Sequence, residues 1–344
     1  MSLFPNYYSV LVVSLLGTPM LLYILRLVAL RVGLVDVPNV RKIHAKPVPL
    51  VGGLVLFIMA VVLLSMTNNV NAFSFYLLTA TGLVVIVGLL DDLYQLSALW
   101  RFIVQIIASL VVIYFSNVQL YTFGLLLYPD WEMNLGIFAI PITVFGVVGV
   151  INSINMADGI DGLAGMTFFI PVLALALLAG SNDFSLWLLL LLICVMIFVV
   201  FNKSVRNKVF LGDNGSLLLG FILAWLLVYF SQGSQATIKP ITALYLVGLP
   251  VYDTIFVMLK RILSHQSPFK PDNTHLHHLF LAKGLSQTRT LFVVVALQTA
   301  MVVLGLVFLH INLAEYYQFY LFILMSAIYY FIMHKIWQKS YVSK

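Results

Sequence analysis

The chain has 344 residues, only 9% of which are charged, and its mean hydropathy is +1.07. A soluble globular domain carries about 25% charged residues, so the composition excludes that class and indicates a membrane protein. The net charge of +6 is split among loops between apolar runs, which argues against nucleic-acid binding, and the single Cys194 can form no intrachain disulfide.

Apolar runs long enough to cross a bilayer follow one another along the whole chain. The first is too long for a signal-peptide core and has no small-residue cleavage site, so we expect it to be retained as a span. We predict an all-α fold, a polytopic membrane helical bundle formed by one domain (1–344), with about eleven transmembrane helices. Their expected bounds are 7–30, 50–67, 72–90, 98–116, 135–153, 160–179, 184–202, 214–231, 240–262, 290–310 and 314–335.

The basic residues predict the orientation of this bundle. With the N-terminus outside and the C-terminus in the cytoplasm, every Lys and Arg except Lys239 falls on the inner side. Cytoplasmic loops carry an excess of Lys and Arg, so this segregation supports both the orientation and the span count. The outer loop 117–134 is expected to be either a short β-hairpin or irregular. The inner loops that we expect to carry the chemistry are 31–49, 91–101, 152–163, 202–216 and 260–290.

The first inner loop is basic and rich in proline, which keeps it non-helical. Arg41, Lys42 and His44 form a compact positive patch next to the membrane. Two interpretations stay open for this patch. One is anchoring by attraction to lipid headgroups, and the other is a binding site for a lipid phosphate.

The second inner loop begins with two adjacent carboxylates, Asp91 and Asp92, after a long apolar run. If that run is a helix, the negative end of its dipole disfavours each carboxylate by about 0.3–1 kcal/mol. A pair placed so unfavourably indicates a bound cation or a reaction. The alternative is that both are ordinary solvated loop residues.

The third inner loop places four oxygen-bearing side chains at one helix end. Asn152 and Asn155 are three residues apart and share a helix face, and Asp158 and Asp161 follow with the same spacing, each before a glycine. The alternative assigns Asp161 to capping of the sixth span and the asparagines to helix packing.

The fourth inner loop contains glycines around Asp213 at the expected start of the eighth span. A glycine-rich turn that opens a helix presents backbone N–H groups to an anion, and the helix dipole assists. The carboxylate of Asp213 adds an oxygen ligand suited to Mg²⁺. The alternative is that Asp213 or Ser216 only caps the helix.

The fifth inner loop contains three histidines at an expected helix start. His275 and His278 are three residues apart and are expected to share a face, with His277 beside them. A structural zinc site is disfavoured because no thiolate is nearby. Contact between imidazole N–H groups and phosphate oxygens fits the cluster better.

Four segments in this order resemble the polyprenyl-phosphate N-acetylhexosamine-1-phosphate transferases, which are of the glycosyltransferase family 4 type: DDLYQLSALWR, NSINMADGIDGLAG, FLGDNGS and PDNTHLHHLFLAKGLS. The resemblance runs from Asp36 to the region of Ser286. The His-Leu-His-His form is similar to the bacterial branch that loads N-acetylglucosamine-1-phosphate onto undecaprenyl phosphate. The muramyl-pentapeptide branch usually carries consecutive histidines followed by Phe-Glu.

The resemblance implies a Mg²⁺-dependent phosphotransferase, with Mn²⁺ as an alternative metal. UDP-GlcNAc and undecaprenyl phosphate would give undecaprenyl-pyrophosphoryl-GlcNAc and UMP, the first membrane step of a cell-surface polysaccharide. The alternatives are another UDP-N-acetylhexosamine, UDP-MurNAc-pentapeptide and, more remotely, an ion-coupled transporter. A covalent aspartyl-phosphate route stays open beside direct transfer. The expected location is the bacterial inner membrane, with the reaction on the cytoplasmic side and the protein in contact with membrane lipid. A homodimer is one alternative for the oligomeric state.

The resemblance also implies residue roles, which fall into three groups. The catalytic group is Asp91, Asp92, Asp158 and Asp161. The substrate-binding group is Arg41, Lys42, His44, Asn152, Phe210, His275, His277 and His278, with Phe210 expected either to stack on uracil or to anchor a helix end. The metal-binding group is Asp213 and Asn155.

Overall fold

The computed structural model describes residues 7–37, 46–67, 70–180, 183–267 and 274–339. Within these ranges the chain is an all-α polytopic membrane protein, as the sequence predicted. Its helices are α1 (Tyr7–Val12), α2 (Thr18–Val32), α3 (Gly52–Met66), α4 (Ala72–Tyr94), α5 (Ala98–Ser116), α6 (Ala139–Ala157), α7 (Leu163–Leu178), α8 (Asp183–Asn202), α9 (Asp213–Ser231), α10 (Pro240–Leu246), α11 (Gly248–Leu263), α12 (Leu276–Ala282), α13 (Gln287–His310) and α14 (Glu315–Trp337). A π-helical turn, Val13–Gly17, joins α1 to α2.

β-structure is minimal in the described ranges. Strand β1 (Val35–Asp36) pairs antiparallel with β2 (Val48–Pro49) just before α3. The outer loop predicted as a hairpin or an irregular segment forms two isolated antiparallel bridges, Thr122 with Asn134 and Tyr128 with Trp131, rather than strands.

Eight helices in the described ranges are long and apolar enough to cross a membrane. The predicted ninth span consists of the pair α10 and α11, which is bent by 76° at Val247, just before Gly248 and Pro250. Proline has no N–H to donate and therefore favours such a break. Helices α3 and α7 contain only 15 and 16 residues. At 1.5 Å per residue they reach about 22–24 Å, short of a hydrocarbon core of about 30 Å. The count of eleven spans therefore stays a prediction.

The chain divides into two compact units. The first unit is Met1–Val118 with Val172–Leu226, and the second unit is Gln119–Pro171 with Leu227–Lys344. The prediction of one membrane domain is not decided by this division. Each unit brings together side chains that the sequence placed in separate inner loops.

Helices α3, α4, α5 and α8 form the core of the first unit, where α4 packs on α5 and α3 packs on α8. The indole of Trp187 is fully buried, and its Nε1–H donates to the carbonyl of Ala60 at 3.0 Å. Helix α4 begins after a capping box of Asn71 and Ser74, and it ends where Gln95 adopts φ 52°. These local signals fix the length of α4 and hence the position of the acidic residues at its end.

Helix α11 is central to the second unit and packs against α6, α13 and α14. Tyr252 on α11 and Tyr245 on α10 are buried, and their hydroxyls donate at 2.7 Å to the carbonyls of Phe322 and Gln318 on α14. A buried hydroxyl in an apolar environment is unfavourable unless it is hydrogen-bonded. These bonds therefore hold α14 against the broken helix.

Candidate active site

Three carboxylates and one arginine meet at the end of α4 in the first unit. We call Asp91, Asp92, Asp213 and Arg101 the acidic cluster. Asp91 is 6% exposed, and its Oδ2 lies 3.1 Å from Nη1 of Arg101 on α5. The same nitrogen lies 3.8 Å from Oδ2 of Asp213 at the start of α9. One guanidinium thus faces two carboxylates, and the cluster keeps a net negative charge.

Asp92 points to a different partner from Asp91. Its Oδ1 accepts from the backbone N–H of Asp213 at 2.9 Å. Its Oδ2 accepts from the backbone N–H of Asn214 at 3.2 Å and from the side-chain Nδ2 at 2.6 Å. Asp92 therefore caps the N-terminus of α9 from another helix, where the positive end of the dipole stabilises a carboxylate. The sequence interpretation that Asp213 or Ser216 supplies this cap did not anticipate a donor–acceptor pair between α4 and α9.

Glycines let α9 approach α3 and α4 closely at this point. A Cβ atom at Gly88 on α4 would overlap the backbone of Asn214, and one at Gly53 on α3 would overlap the Asn214 side chain and Gly215. Small residues at helix contacts in membranes allow such close backbone packing. The first turn of α9, and with it Asp213, is consequently held on two sides.

Phe210 lies just before this turn and is fixed through its backbone. Its N–H donates to the carbonyl of Pro49 at 2.8 Å, and its carbonyl accepts from Gly52 at 3.0 Å. The ammonium of Lys208 lies 5.1 Å from the centre of the Phe210 ring. The ring is half-buried and precedes the helix rather than lying in it.

The four polar residues of the third inner loop lie at the end of α6 in the second unit. Asn152 and Asn155 are on the last turns of α6, and the Asn152 Nδ2 donates to the carbonyl of Val148 at 2.8 Å. Asp158 follows as the C-cap, with its N–H donating to the carbonyl of Asn155 at 3.2 Å. Asp161 lies in the turn before α7.

The same unit brings the histidines to this loop. A Cβ atom at Gly159 would overlap the imidazole of His277, so only glycine permits this contact. The rings of His277 and His278 have centroids 4.1 Å apart. Burial, together with the nearby His278 and His275, lowers the pKa of His277 well below its usual value. His277 is therefore neutral at physiological pH, with one ring N–H to donate.

His275 does not share a helix face with His278, contrary to the expectation from their spacing. Helix α12 begins at Leu276, and His275 precedes it in an extended conformation with ψ 156°. Its Nδ1 turns inward and lies 2.8 Å from Oδ2 of Asp253 on α11. The spacing argument failed because it assumed that the helix included His275.

Asp253 is a site residue to which the sequence analysis gave no role. Besides contacting His275, its Oδ1 accepts from the N–H of Leu276 and the hydroxyl of Tyr329, both at 2.9 Å. The available signal was an acidic residue inside an apolar span, which is by default a functional hypothesis. Its partners could not be found from sequence because they lie 22 and 76 residues away.

Arg41, Lys42 and His44 lie outside the described residues. Among the residues that are described, no group of three or more His, Cys, Asp or Glu side chains is arranged to hold a metal ion. Mg²⁺ usually takes one or two protein carboxylates together with substrate phosphates and waters. The carboxylates of the acidic cluster fit that mode of binding.

Comparison with known proteins places the chain in a family. The model of "Glycosyl transferase family 4" matches residues 74–231. Three relatives are named undecaprenyl-phosphate alpha-N-acetylglucosaminyl 1-phosphate transferase. The Yersinia pestis protein is 34% identical over 92% of this chain and 88% of its own length, the Salmonella typhi protein 33% over 85% and 81%, and the Escherichia coli K12 protein 32% over 83% and 79%. The resemblance found in the sequence motifs is confirmed, and the chain belongs to glycosyl transferase family 4.

Proposed function

We propose that this protein transfers N-acetylglucosamine-1-phosphate from UDP-GlcNAc to undecaprenyl phosphate, giving undecaprenyl-pyrophosphoryl-GlcNAc and UMP. The acidic cluster carries the proposal. An exposed edge of Asp213 and a buried Asp91 share one guanidinium at the first turn of a helix. Carboxylates that are partly exposed can hold Mg²⁺, and bound Mg²⁺ together with a nearby guanidinium is a usual binding site for a transferring phosphate. The names of the relatives supply the lipid and the transferred N-acetylglucosaminyl 1-phosphate, and the motif resemblance supplies the uridine nucleotide.

The chemistry assigned to the first unit is an in-line phosphoryl transfer. An oxygen of the lipid phosphate forms a bond to the β-phosphorus of UDP-GlcNAc, and the bond from that phosphorus to the bridging oxygen breaks, so that UMP leaves. Asp91 orients the lipid phosphate and accepts its proton where one is present. Asp92 positions Asp213 by capping α9.

A divalent cation is part of this proposal. Asp213 would hold Mg²⁺, with Mn²⁺ as the substitute; the role of Asn155 as a second ligand stays an expectation from the resemblance. When bound, the ion neutralises charge on the pyrophosphate and on departing UMP. Arg101 lies within 4 Å of the carboxylates of Asp91 and Asp213, and so the guanidinium orients both of them.

The remaining roles follow the sequence expectations except at His275 and at Asp158 and Asp161, whose catalytic role becomes that of holding the nucleotide. Phe210 would stack on uracil, beside the cation of Lys208. Asn152, Asp158 and Asp161 would hold the nucleotide, and His277 and His278 would donate to the pyrophosphate. The basic patch, Arg41, Lys42 and His44, would receive the lipid phosphate.

We also propose the membrane arrangement that the basic residues predict. The eleven predicted spans would all cross the inner membrane of a bacterium, with the N-terminus outside and the reaction at the cytoplasmic side. The product would enter synthesis of a cell-surface polysaccharide.

The test uses the full chain purified in detergent with undecaprenyl phosphate, Mg²⁺ and a panel of labelled donors. The panel contains UDP-GlcNAc, UDP-GalNAc and UDP-MurNAc-pentapeptide, and the readouts are label in the lipid extract and release of UMP. We expect transfer from UDP-GlcNAc in preference to the other two. Absence of transfer from every donor, with folded protein, overturns the proposal, while a preference for another donor overturns only the assigned sugar.

Matched variants tie the reaction to the acidic cluster. Asp213→Asn should lower turnover at least about a hundredfold, because the variant would hold Mg²⁺ more weakly and lose the charge stabilisation that the ion would give the transferring phosphate. The control is Asp130→Asn, which makes the same chemical change at an exposed residue of the outer loop. Unchanged turnover in Asp213→Asn would remove that residue from the mechanism.

A further inference from the structure

A buried carboxylate in the second unit gathers three donors from two other parts of the chain. Asp253 is 8% exposed. Its Oδ2 lies 2.8 Å from Nδ1 of His275, and its Oδ1 accepts from the N–H of Leu276 and from the hydroxyl of Tyr329. A buried carboxylate is costly unless such partners stabilise it, so the side chains around it are strongly constrained.

These contacts fix the start of the helix that carries the other histidines. Leu276 is the first residue of α12, and its N–H has no acceptor within the helix. Asp253 supplies that acceptor from α11, and it also turns the ring of His275 away from the helix. A carboxylate only accepts hydrogen bonds, so Nδ1 of His275 carries the proton.

A second contact from the same face of α11 holds the preceding residue. Lys260 lies two turns after Asp253, and its ammonium donates to Oγ1 of Thr274 at 2.7 Å. The same ammonium lies 4.9 Å from the ring of Trp337 on α14. Residues seven apart on a helix share a face, so α11 holds both Thr274 and His275–Leu276 with one surface.

We propose that Asp253 is a positioning residue of the transfer reaction. It acts through His275 and the first turn of α12, and it holds His277 and His278 where they contact the pyrophosphate of the nucleotide sugar. His275 is therefore a support and not a substrate contact. The identity of the substrate in this inference rests on the proposed function, whereas the link from Asp253 to the start of α12 does not.

The experiment measures kinetics and amide exchange on the full chain in detergent. Asp253→Asn should raise KM for UDP-GlcNAc and lower kcat/KM by about 10–100-fold, by analogy with the loss of a carboxylate that orients a metal-binding histidine. KM for undecaprenyl phosphate should change less than about twofold. A purely structural defect would lower the active fraction, and so kcat, and would leave both KM values unchanged.

Amide hydrogen exchange gives a readout that does not depend on activity. In Asp253→Asn, peptides covering 274–282 should exchange about fivefold faster, because a hydrogen bond to a charged acceptor becomes a neutral one. The matched control is Tyr252→Phe, which removes a buried hydrogen bond from the adjacent residue of α11 without touching this segment. It should leave both KM values and the exchange of 274–282 unchanged.

His275→Gln separates support from substrate contact and serves if Asp253→Asn does not fold. We expect it to reproduce the raised KM for UDP-GlcNAc together with faster exchange in 274–282. A raised KM with unchanged exchange would overturn the inference, since His275 would then act on the substrate directly. Unchanged kinetics in a folded Asp253→Asn would overturn it as well. If the wild type transfers no sugar phosphate but Asp253→Asn still exchanges faster than the wild type in 274–282, the proposed function is overturned and the structural link stands.

Discussion

The two adjacent carboxylates at the end of α4 should fail in different ways when each is changed to asparagine. Asp91→Asn should abolish most turnover and leave stability nearly unchanged. Asp92→Asn should destabilise the protein and reduce turnover less. The difference follows from their partners, which are a half-buried arginine for Asp91 and the first turn of α9 for Asp92.

The magnitudes can be worked from these contacts. Asp92 accepts three hydrogen bonds, and a charged acceptor contributes about 1.5–3 kcal/mol to such a bond, against about 1 kcal/mol for a neutral one. Asparagine keeps one good acceptor but presents an NH₂ group to the N–H donors of α9. We expect a loss of about 2–3 kcal/mol, which lowers the melting midpoint by about 5–10 °C for a unit of this size.

Asp91→Asn should lower the free energy of unfolding much less than Asp92→Asn. Arg101 is 27% exposed and lies 3.8 Å from Asp213, so it keeps a carboxylate partner in Asp91→Asn. Arg101 is partly hydrated and keeps one carboxylate partner, so the net loss should be at most about 1 kcal/mol. The midpoint should therefore shift by less than about 3 °C. Turnover should fall at least about a thousandfold if this carboxylate orients the attacking phosphate, because both the positioning and the proton acceptor are lost.

The assay pairs a thermal melt in detergent with single-turnover transfer on the same preparations. Single-turnover rates separate the chemical step from product release and are corrected for the folded fraction. The reasoning is refuted if Asp92→Asn melts with the wild type, or if Asp91→Asn retains turnover within tenfold of it.

Three further outcomes test other parts of the site. Gly88→Ala should lower the melting midpoint and cut activity at least about tenfold, because the added methyl overlaps the backbone of Asn214. Overpacking of this kind costs about 1–3 kcal/mol. The control is Gly149→Ala, which has open space at its Cβ and should change neither quantity. Chelation of divalent ions should abolish UMP release, and readdition of Mg²⁺ should restore it. Asp213→Asn should require a higher Mg²⁺ concentration for half-maximal UMP release. The same dependence on Mg²⁺ concentration in Asp213→Asn and the wild type would contradict this assignment. His277 binds its proton more weakly when folded than when unfolded, so its stabilising contribution is complete above pH 6.5 and is lost as the pH falls. Melts should show a falling midpoint below pH 6.5, and His277→Gln should flatten that slope.

The helices were predictable where a local signal fixed both ends. The run 98–116 coincides with α5, which Asn117 ends at φ 56°. The run 160–179 begins later than predicted, at Leu163, because Gly162 adopts φ +85°. The break between α10 and α11 was missed, because hydropathy is averaged over a window and does not respond to the direction of the backbone. Apolar composition therefore predicts where helices occur better than whether each one spans the bilayer.

The site was predictable by residue type and not by contact. Acidic and amide residues at helix ends were recognised because they are unfavourable in apolar surroundings. Their separate roles were not predicted, because the hydrogen bond from Asn214 to Asp92 joins residues that are 122 apart in the sequence. The inward turn of His275 depends on Asp253, whose carboxylate is reached only after α11 and α12 have packed.

Adjacent residues on an α-helix point about 100° apart, so the carboxylates of Asp91 and Asp92 are directed differently. One carboxylate is directed at Arg101 on α5 and the other at the positive end of α9. Each repulsive contribution from the dipole of α4 is thus offset by a separate positive group of the protein itself. The unfavourable position of the pair does not by itself require a metal ion. A Mg²⁺ ion at Asp213 would share the oxygens of the acidic cluster with a guanidinium, and the case for it rests on phosphate chemistry rather than on the stability of the pair.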